Sequence, residues 1–237
     1  MAALSGTLLN AATVLLGGLL GTTLGDRLPA PLRENVVRGI GLFLFAVGVK
    51  FAIDTSNLLF ILGAILLGGL IGALVGVDTR LNQVGEKMQR RFARGATSTV
   101  SEAFVTASIV FCVGPLTFLG SIQNGLAGDA SLLVVKSVLD GFTAVALAAT
   151  LGWGVLLTIP LILVYQGGLA LGASLFVGLL TDLQLREMSA VGGLLIVGVG
   201  LKLLGIRDVK VADFLPAIIV SPLVVAAFGR LLEALGT

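Results

Sequence analysis

Eight stretches of about 20 mainly apolar residues fill this 237-residue chain, at 4–25, 35–53, 57–77, 100–122, 131–150, 153–179, 186–205 and 212–234. Helix rises about 1.5 Å per residue, so each stretch matches the ~30 Å hydrocarbon core of a bilayer. Inside that core every backbone N–H and C=O must be bonded within the chain, and a helix does so segment by segment. The expectation is an all-α polytopic membrane protein with about eight transmembrane helices. A soluble alternative fails on composition. The chain is 57% hydrophobic and 12% charged, with mean hydropathy +1.09, where soluble domains carry charge on about a quarter of their residues. The first stretch has full spanning length and no basic segment before it, so it reads as a retained helix rather than a signal peptide. The main polar stretch is Asp78 to Thr99, whose 88–95 portion, MQRRFARG, reads as a short basic interfacial helix.

A segment occurs twice. Residues 41–50, GLFLFAVGVK, and 193–202, GLLIVGVGLK, share five of ten positions. Leu32-Arg33-Glu34 precedes the first copy and Leu185-Arg186-Glu187 the second, one register apart. Downstream, Leu62, Ala64, Ile65, Ala73 and Gly76 match Leu215, Ala217, Ile218, Ala226 and Gly229 at a constant offset. The alternative to duplication is chance likeness among glycine-rich apolar helices, and matched offsets over two helices and a loop weigh against it. Spans 1–3 then correspond to spans 6–8, and a displacement of five spans inverts the second copy in the membrane. The expected organisation is one transmembrane domain over 1–237: a first repeat at 1–78, a basic cytoplasmic loop at 79–99, central spans at 100–151 and a second repeat at 152–237. With the amino terminus outside, cytoplasmic loops hold 11 of the 15 Lys and Arg residues, so the positive-inside rule places both termini outside.

Chemistry is narrowed by what the chain lacks. There is no histidine, and the lone Cys112 excludes an internal disulfide or a multi-cysteine metal site. No catalytic triad, metal-ligand cluster, phosphate-cradling loop or dinucleotide fingerprint occurs. The expectation is a protein that is not an enzyme and uses no cofactor or metal. The formal charge of +2, gathered in loops, implies no nucleic-acid partner. The implied partners are the lipid bilayer and a small solute or ion. Glycines recur every fourth residue at Gly17, Gly21 and Gly25, at Gly68, Gly72 and Gly76, and at Gly168 and Gly172. Such faces let helix backbones touch, within the molecule or in a homodimer.

Two places can hold a ligand. Span 4 carries Gly114-Pro115, then Thr117, Gly120 and Ser121. Proline removes one backbone bond and frees the carbonyl about a turn before it, and broken helices of this kind make ion or substrate sites. An ordinary proline kink is the plain alternative. Span 5 carries Lys136, Ser137 and Asp140. Lys136 and Asp140 share a helix face one turn apart, and ionisable groups at membrane depth are costly unless paired or wetted. Asp140 is the leading cation- or proton-binding carboxylate, and a salt bridge that simply tolerates burial is its alternative. Asn10 in span 1, Gln166 in span 6 and Glu102 at the start of span 4 complete the candidate set. For the two amides, interhelical hydrogen bonding is the plainer reading, and for Glu102 a helix cap is the alternative.

The stretches GTLLNAATVLLGGLLG, GPLTFLGSIQNGLAGD, KSVLDGFTAVALAATLGWGV, LVYQGG and VADFLPAIIVSPLV together resemble the bacterial YqgA/YdfK-like membrane proteins, a family of unknown function numbered 554 among such domains. The likeness covers essentially the whole chain. It implies a polytopic inner-membrane protein and brings no substrate with it. The family's recurrent polar and glycine positions correspond to Asn10, Gly114, Gly120, Ser121, Gly125, Lys136, Asp140, Gly141, Gln166 and Gly167, while Gln123 and Asn124 look variable. The expected function is a secondary transporter or channel-like permease with a site near the midplane between inverted repeats. A non-transporting scaffold or regulator, and an intramembrane enzyme acting on a lipid, are the rival classes.

Overall fold

The computed structural model describes residues 2–25, 29–92, 99–112, 115–176 and 180–235. Among them there is no strand. The helices are α1 (Ser5–Gly25), α2 (Ala30–Ala52), α3 (Leu58–Val75), α4 (Val77–Phe92), α5 (Thr99–Cys112), α6 (Pro115–Ala127), α7 (Ser131–Leu151), α8 (Thr158–Leu171), α9 (Ala173–Phe176), α10 (Asp182–Leu203) and α11 (Pro216–Leu235). Short 3₁₀ turns, Trp153–Leu157 and Val211–Phe214, lead into α8 and α11. Seven helical segments are long and apolar enough to cross a membrane, and α5 with α6 forms an eighth candidate bent by 70°.

The pattern of burial is that of a bundle meant for lipid. On α3, Leu66, Leu70 and Leu74 point outward, and Leu74 is 79% exposed, while Gly68 and Gly72 are buried. Large apolar side chains cost nothing against lipid tails, so the small residues turn inward, where they let backbones touch. A Cβ on Gly68 would overlap Ala217, and one on Gly72 the Asp213 carbonyl. As α3 advances, its contacts on α11 retreat, so the two run antiparallel. In α2 and α10, Gly41 abuts Gly200 and Gly48 abuts Gly193, again antiparallel. In α1 and α7 the contacts advance together, Gly17 on Gly141, Gly21 on Val145 and Gly25 on Ala149. That pair is parallel.

Local chemistry sets the helix ends. Gly76 takes the left-handed φ of 69° that ends α3, a conformation open to glycine without strain, and α4 departs from it. Asp213 Oδ1 accepts from the Asp78 N–H (2.9 Å) and so satisfies a free donor in the first turn of α4. The polar stretch after span 3 is therefore helical over Val77–Phe92, longer than the interfacial segment read from the sequence and starting earlier. Leu81 packs on the core while Arg80 and Lys87 are exposed. Span 6 is shorter than its apolar run: α8 ends at Leu171 against Gly172, and α9 follows as one short turn.

At the break in span 4 the carbonyl that proline frees has a side-chain partner. Pro115 has no N–H for the Phe111 carbonyl four residues back. Thr117 supplies the substitute, its Oγ1 donating to Phe111 O at 3.1 Å. Val113 and Gly114, the residues of the break itself, lie outside the described residues.

Candidate functional site

Four polar side chains from three helices meet in the interior. Lys136 and Asp140 lie one turn apart on α7, and the Lys136 ammonium is hydrogen-bonded to Asp140 Oδ2. Asn10 of α1 donates from Nδ2 to the same Oδ2 at 3.0 Å and to Gln166 Oε1 of α8 at 3.2 Å. Asn10 and Gln166 are fully buried, and Lys136 and Asp140 are 4% and 6% exposed. Parallel packing of α1 on α7 brings Asn10 to Asp140, because glycines hold the two backbones in contact one turn and more further along.

Asn10 presents its NH₂ group to both Asp140 and Gln166, and Gln166 presents its oxygen to Asn10. Asn10 Oδ1 and Gln166 Nε2 are left without partners among the described residues, as is the buried hydroxyl of Thr7 one turn before Asn10. Each unmet buried group costs about 1–3 kcal/mol. An ion pair removed from water gains little net stability in return. The cluster is thus an expensive arrangement, with a free acceptor, a free donor and a hydroxyl on adjoining helices.

The remaining expected residues take different places. Ser137 is fully buried and donates to the Leu133 carbonyl of its own helix (2.6 Å). Thr117 and Ser121 are fully buried on α6, and Ser121 donates to Thr117 O at 2.5 Å. Gly114 lies outside the described residues. A Cβ on Gly120 of α6 would meet Leu132 and Leu133 of α7, one turn before Lys136, so the broken span and the ion pair are neighbours. Glu102 is not part of this cluster. It is exposed and lines a separate polar hollow with Asp78, Asn82, Lys202 and Asp208.

Two buried groups escaped the sequence reading. Asn124 of α6 is fully buried, and its Oδ1 accepts from the Gly6 N–H at 3.1 Å, satisfying a free donor in the first turn of α1. An amide inside an apolar segment was the available signal, set aside because the position looked variable. Glu187 of α10 is also fully buried. Its carboxylate accepts from Thr55 Oγ1 (2.6 Å), Ser56 N (2.7 Å) and Ser56 Oγ (2.7 Å). It clamps the α2–α3 connection, and beside it Arg186 binds the Asp54 carbonyl and its carboxylate, the latter at 3.2 Å.

Comparison with known proteins finds uncharacterised bacterial relatives. Residues 5–226 match the model of a protein family of unknown function, DUF554. The chain is 35% identical over 221 residues to the uncharacterized protein YqgA of Escherichia coli, covering 91% of this chain and 94% of that one. It is 26% identical over 224 residues to the uncharacterized membrane protein YdfK of Bacillus subtilis, covering 93% and 95%. No solved structure matches.

Proposed function

The chain belongs to the DUF554 family, and from that premise we propose that it is a secondary transporter or channel-like permease for a small solute or ion. The observation that carries this reading is the Lys136–Asp140–Asn10–Gln166 cluster, buried beside a broken span with hydrogen-bonding atoms to spare. Intramembrane ionisable residues mark substrate pathways far more often than they serve stability. The ligand is held between α1 and α7 on one side and α8 on the other.

Helix packing supports eight crossings and inverted repeats. If α5 and α6 together make one crossing, spans 1 and 5 share a direction, while spans 2 and 7, and 3 and 8, oppose each other. Those are the three relations in the contacts, and a bent pair returning to its own side would reverse all of them. The close approach of α2 and α10 joins Gly41 to Gly200 and Gly48 to Gly193. In the repeats Gly41 corresponds to Gly193 and Gly48 to Gly200, so the approach is centred on equivalent residues, as a two-fold axis in the membrane plane requires. The basic residues of α4 and of the α10–α11 connection then lie on the cytoplasmic side of a bacterial inner membrane, with both termini outside. The Gly17, Gly21 and Gly25 face and the Gly68 and Gly72 face are used within the fold, while Gly168 is exposed.

Proteoliposomes given steps of sodium, potassium and pH, read as currents on a solid-supported membrane, test the reading. The expected result is a transient current that Asp140→Asn abolishes and the exposed Glu34→Gln leaves intact. A current that survives Asp140→Asn removes Asp140 from the pathway, and the absence of current under all three steps rules out charge-moving transport of these ions.

A further inference from the structure

Outside the cluster, the polar hollow around Glu102 and a second, apolar hollow that Leu161 and Tyr165 of α8 help to line follow one another along one face of α5, an amphipathic trough in two parts. Ser101, Glu102 and Val105 line a hollow of about 600 Å³, and Ser108, Ile109 and Cys112 line one of about 250 Å³. These six positions fall on one face of α5 at helical spacing. On α4, Asp78 and Asn82 belong to the first hollow and Leu81 to the second, so the two lie end to end between α4 and α5. The far wall changes in step, from Lys202, Arg207 and Asp208 to Leu215, Ile218 and Ile219 of α11. Ile219 is 74% exposed, so the apolar part opens toward the lipid. Ser101 to Cys112 spans about 16 Å at 1.5 Å per residue, half the ~30 Å hydrocarbon core.

The charges at the mouth are already partly matched. Lys202 pairs with Asp208 at 3.3 Å, and Asp78 Oδ2 accepts from Asn82 at 2.9 Å. Glu102 and Arg207 have no partner among the described residues, and deeper in, the buried Ser108 hydroxyl, 5% exposed, has none either. Among the described residues the trough thus offers two carboxylates without a cation, Asp78 and Glu102, and one free cation, Arg207, at its polar end, and a hydrocarbon-lined slot at its other end. A lipid with a single anionic headgroup would leave Glu102 unmatched and repelled. A quaternary ammonium could not donate a hydrogen bond to it.

We propose that this trough is a binding site for a zwitterionic aminophospholipid, with the headgroup ammonium on Glu102, the phosphate on Arg207 and one acyl chain along Leu81, Ile109, Leu215 and Ile218. The site is independent of the central cluster. Its test is native mass spectrometry of the full chain released from nanodiscs containing equal amounts of phosphatidylethanolamine, phosphatidylcholine and phosphatidylglycerol. Phosphatidylethanolamine should be retained preferentially. Glu102→Gln and Arg207→Gln, both at exposed positions, should each reduce that preference by about tenfold, the loss of one charge-assisted hydrogen bond. Equal retention of the three lipids, meaning annular contact only, would overturn the proposal. So would a preference for phosphatidylglycerol, or a phosphatidylethanolamine preference that persists in both variants.

Discussion

The α2·α10 and α1·α7 pairs are both built on glycine, yet they are finished in opposite ways. Between α2 and α10 the contact is apolar through its middle, with Gly41, Gly48, Gly193 and Gly200 pressed on opposing backbone, and polar groups lie only at its ends. One end is the Glu187 clamp, the other the Lys202–Asp208 pair. Between α1 and α7 the glycine contact covers one half, and the other half holds Asn10, Lys136 and Asp140. A dry seam with interlocked backbones has one arrangement. A polar seam with unmet donors and acceptors leaves hydrogen-bonding atoms for a ligand, which the proposed transport function requires and a framework does not. The same small-residue device therefore serves rigidity in one pair and positions chemistry in the other.

Breaking the dry seam should produce the largest effect. Gly48→Leu places a side chain against the backbone of Val197 and Gly193, where no rotamer change relieves the overlap. Loss of more than about 3 kcal/mol is expected, seen as loss of the monodisperse peak in fluorescence size-exclusion chromatography. Asp140→Ala in the polar seam should come next, at about 3–5 kcal/mol, because it strands the Lys136 ammonium. The double change Lys136→Met with Asp140→Leu should recover most of that stability in thermal unfolding while leaving transport absent. Recovery of both would mean the pair has no role beyond packing.

Smaller effects separate the ends of the two seams. Asn124→Ala frees the Gly6 N–H at the start of α1 and should cost about 1–3 kcal/mol. Glu187→Gln turns one acceptor toward the Ser56 N–H and hydroxyl and should cost about 1–2 kcal/mol. Glu34, its counterpart in the first repeat, is exposed and paired only with Arg38 at 2.5 Å. Glu34→Gln should change melting temperature negligibly. Equal effects at Glu34 and Glu187 would mean the clamp on residues 55–56 contributes nothing.

Much of this was legible in the sequence because it depends on local spacing. Spans follow from the length needed to cross hydrocarbon. Lys136 and Asp140 pair because residues four apart share a helix face, and the break follows from Pro115. What lies far apart in the chain was less legible. Asn10 and Gln166 read as generic interhelical amides, and only the parallel packing of α1 on α7 brings Asn10 within bonding distance of a residue 130 positions away. Glu102 is a carboxylate like Asp140 but stands at the start of its span, and α5 turns it to an exposed hollow. Glu187 enters the sequence reading only as part of the second Leu-Arg-Glu match, since its burial is created by the 53–57 connection folding over it. The 70° bend has no counterpart in composition, because proline permits an angle without choosing one.

The faintest difference between α1 and α7 is one that pH can isolate. Both helices start under a side chain from the α6 region, but α1 is held by the neutral amide of Asn124 and α7 by a carboxylate. Asp129 Oδ1 accepts from Ser131 N (2.9 Å) and Ser131 Oγ (2.5 Å), and its Oδ2 accepts from Gln123 Nε2 (2.6 Å). The hydroxyl and N–H of Ser131 hold the Asp129 carboxyl below its ordinary range, near pH 4 for a free aspartate. A folded value below the unfolded one means that the contribution is complete above the ordinary range and is lost as pH falls through the lowered value. Hydrogen exchange corrected for its intrinsic pH dependence should therefore show the first amides of α7 losing protection below about pH 4, while Gly6 keeps its own. In Asp129→Asn the α7 amides should exchange alike across that window. Parallel loss at both helix starts would instead mean that acid loosens the α1·α7 pair as a whole, and that Asp129 does not act on α7 alone.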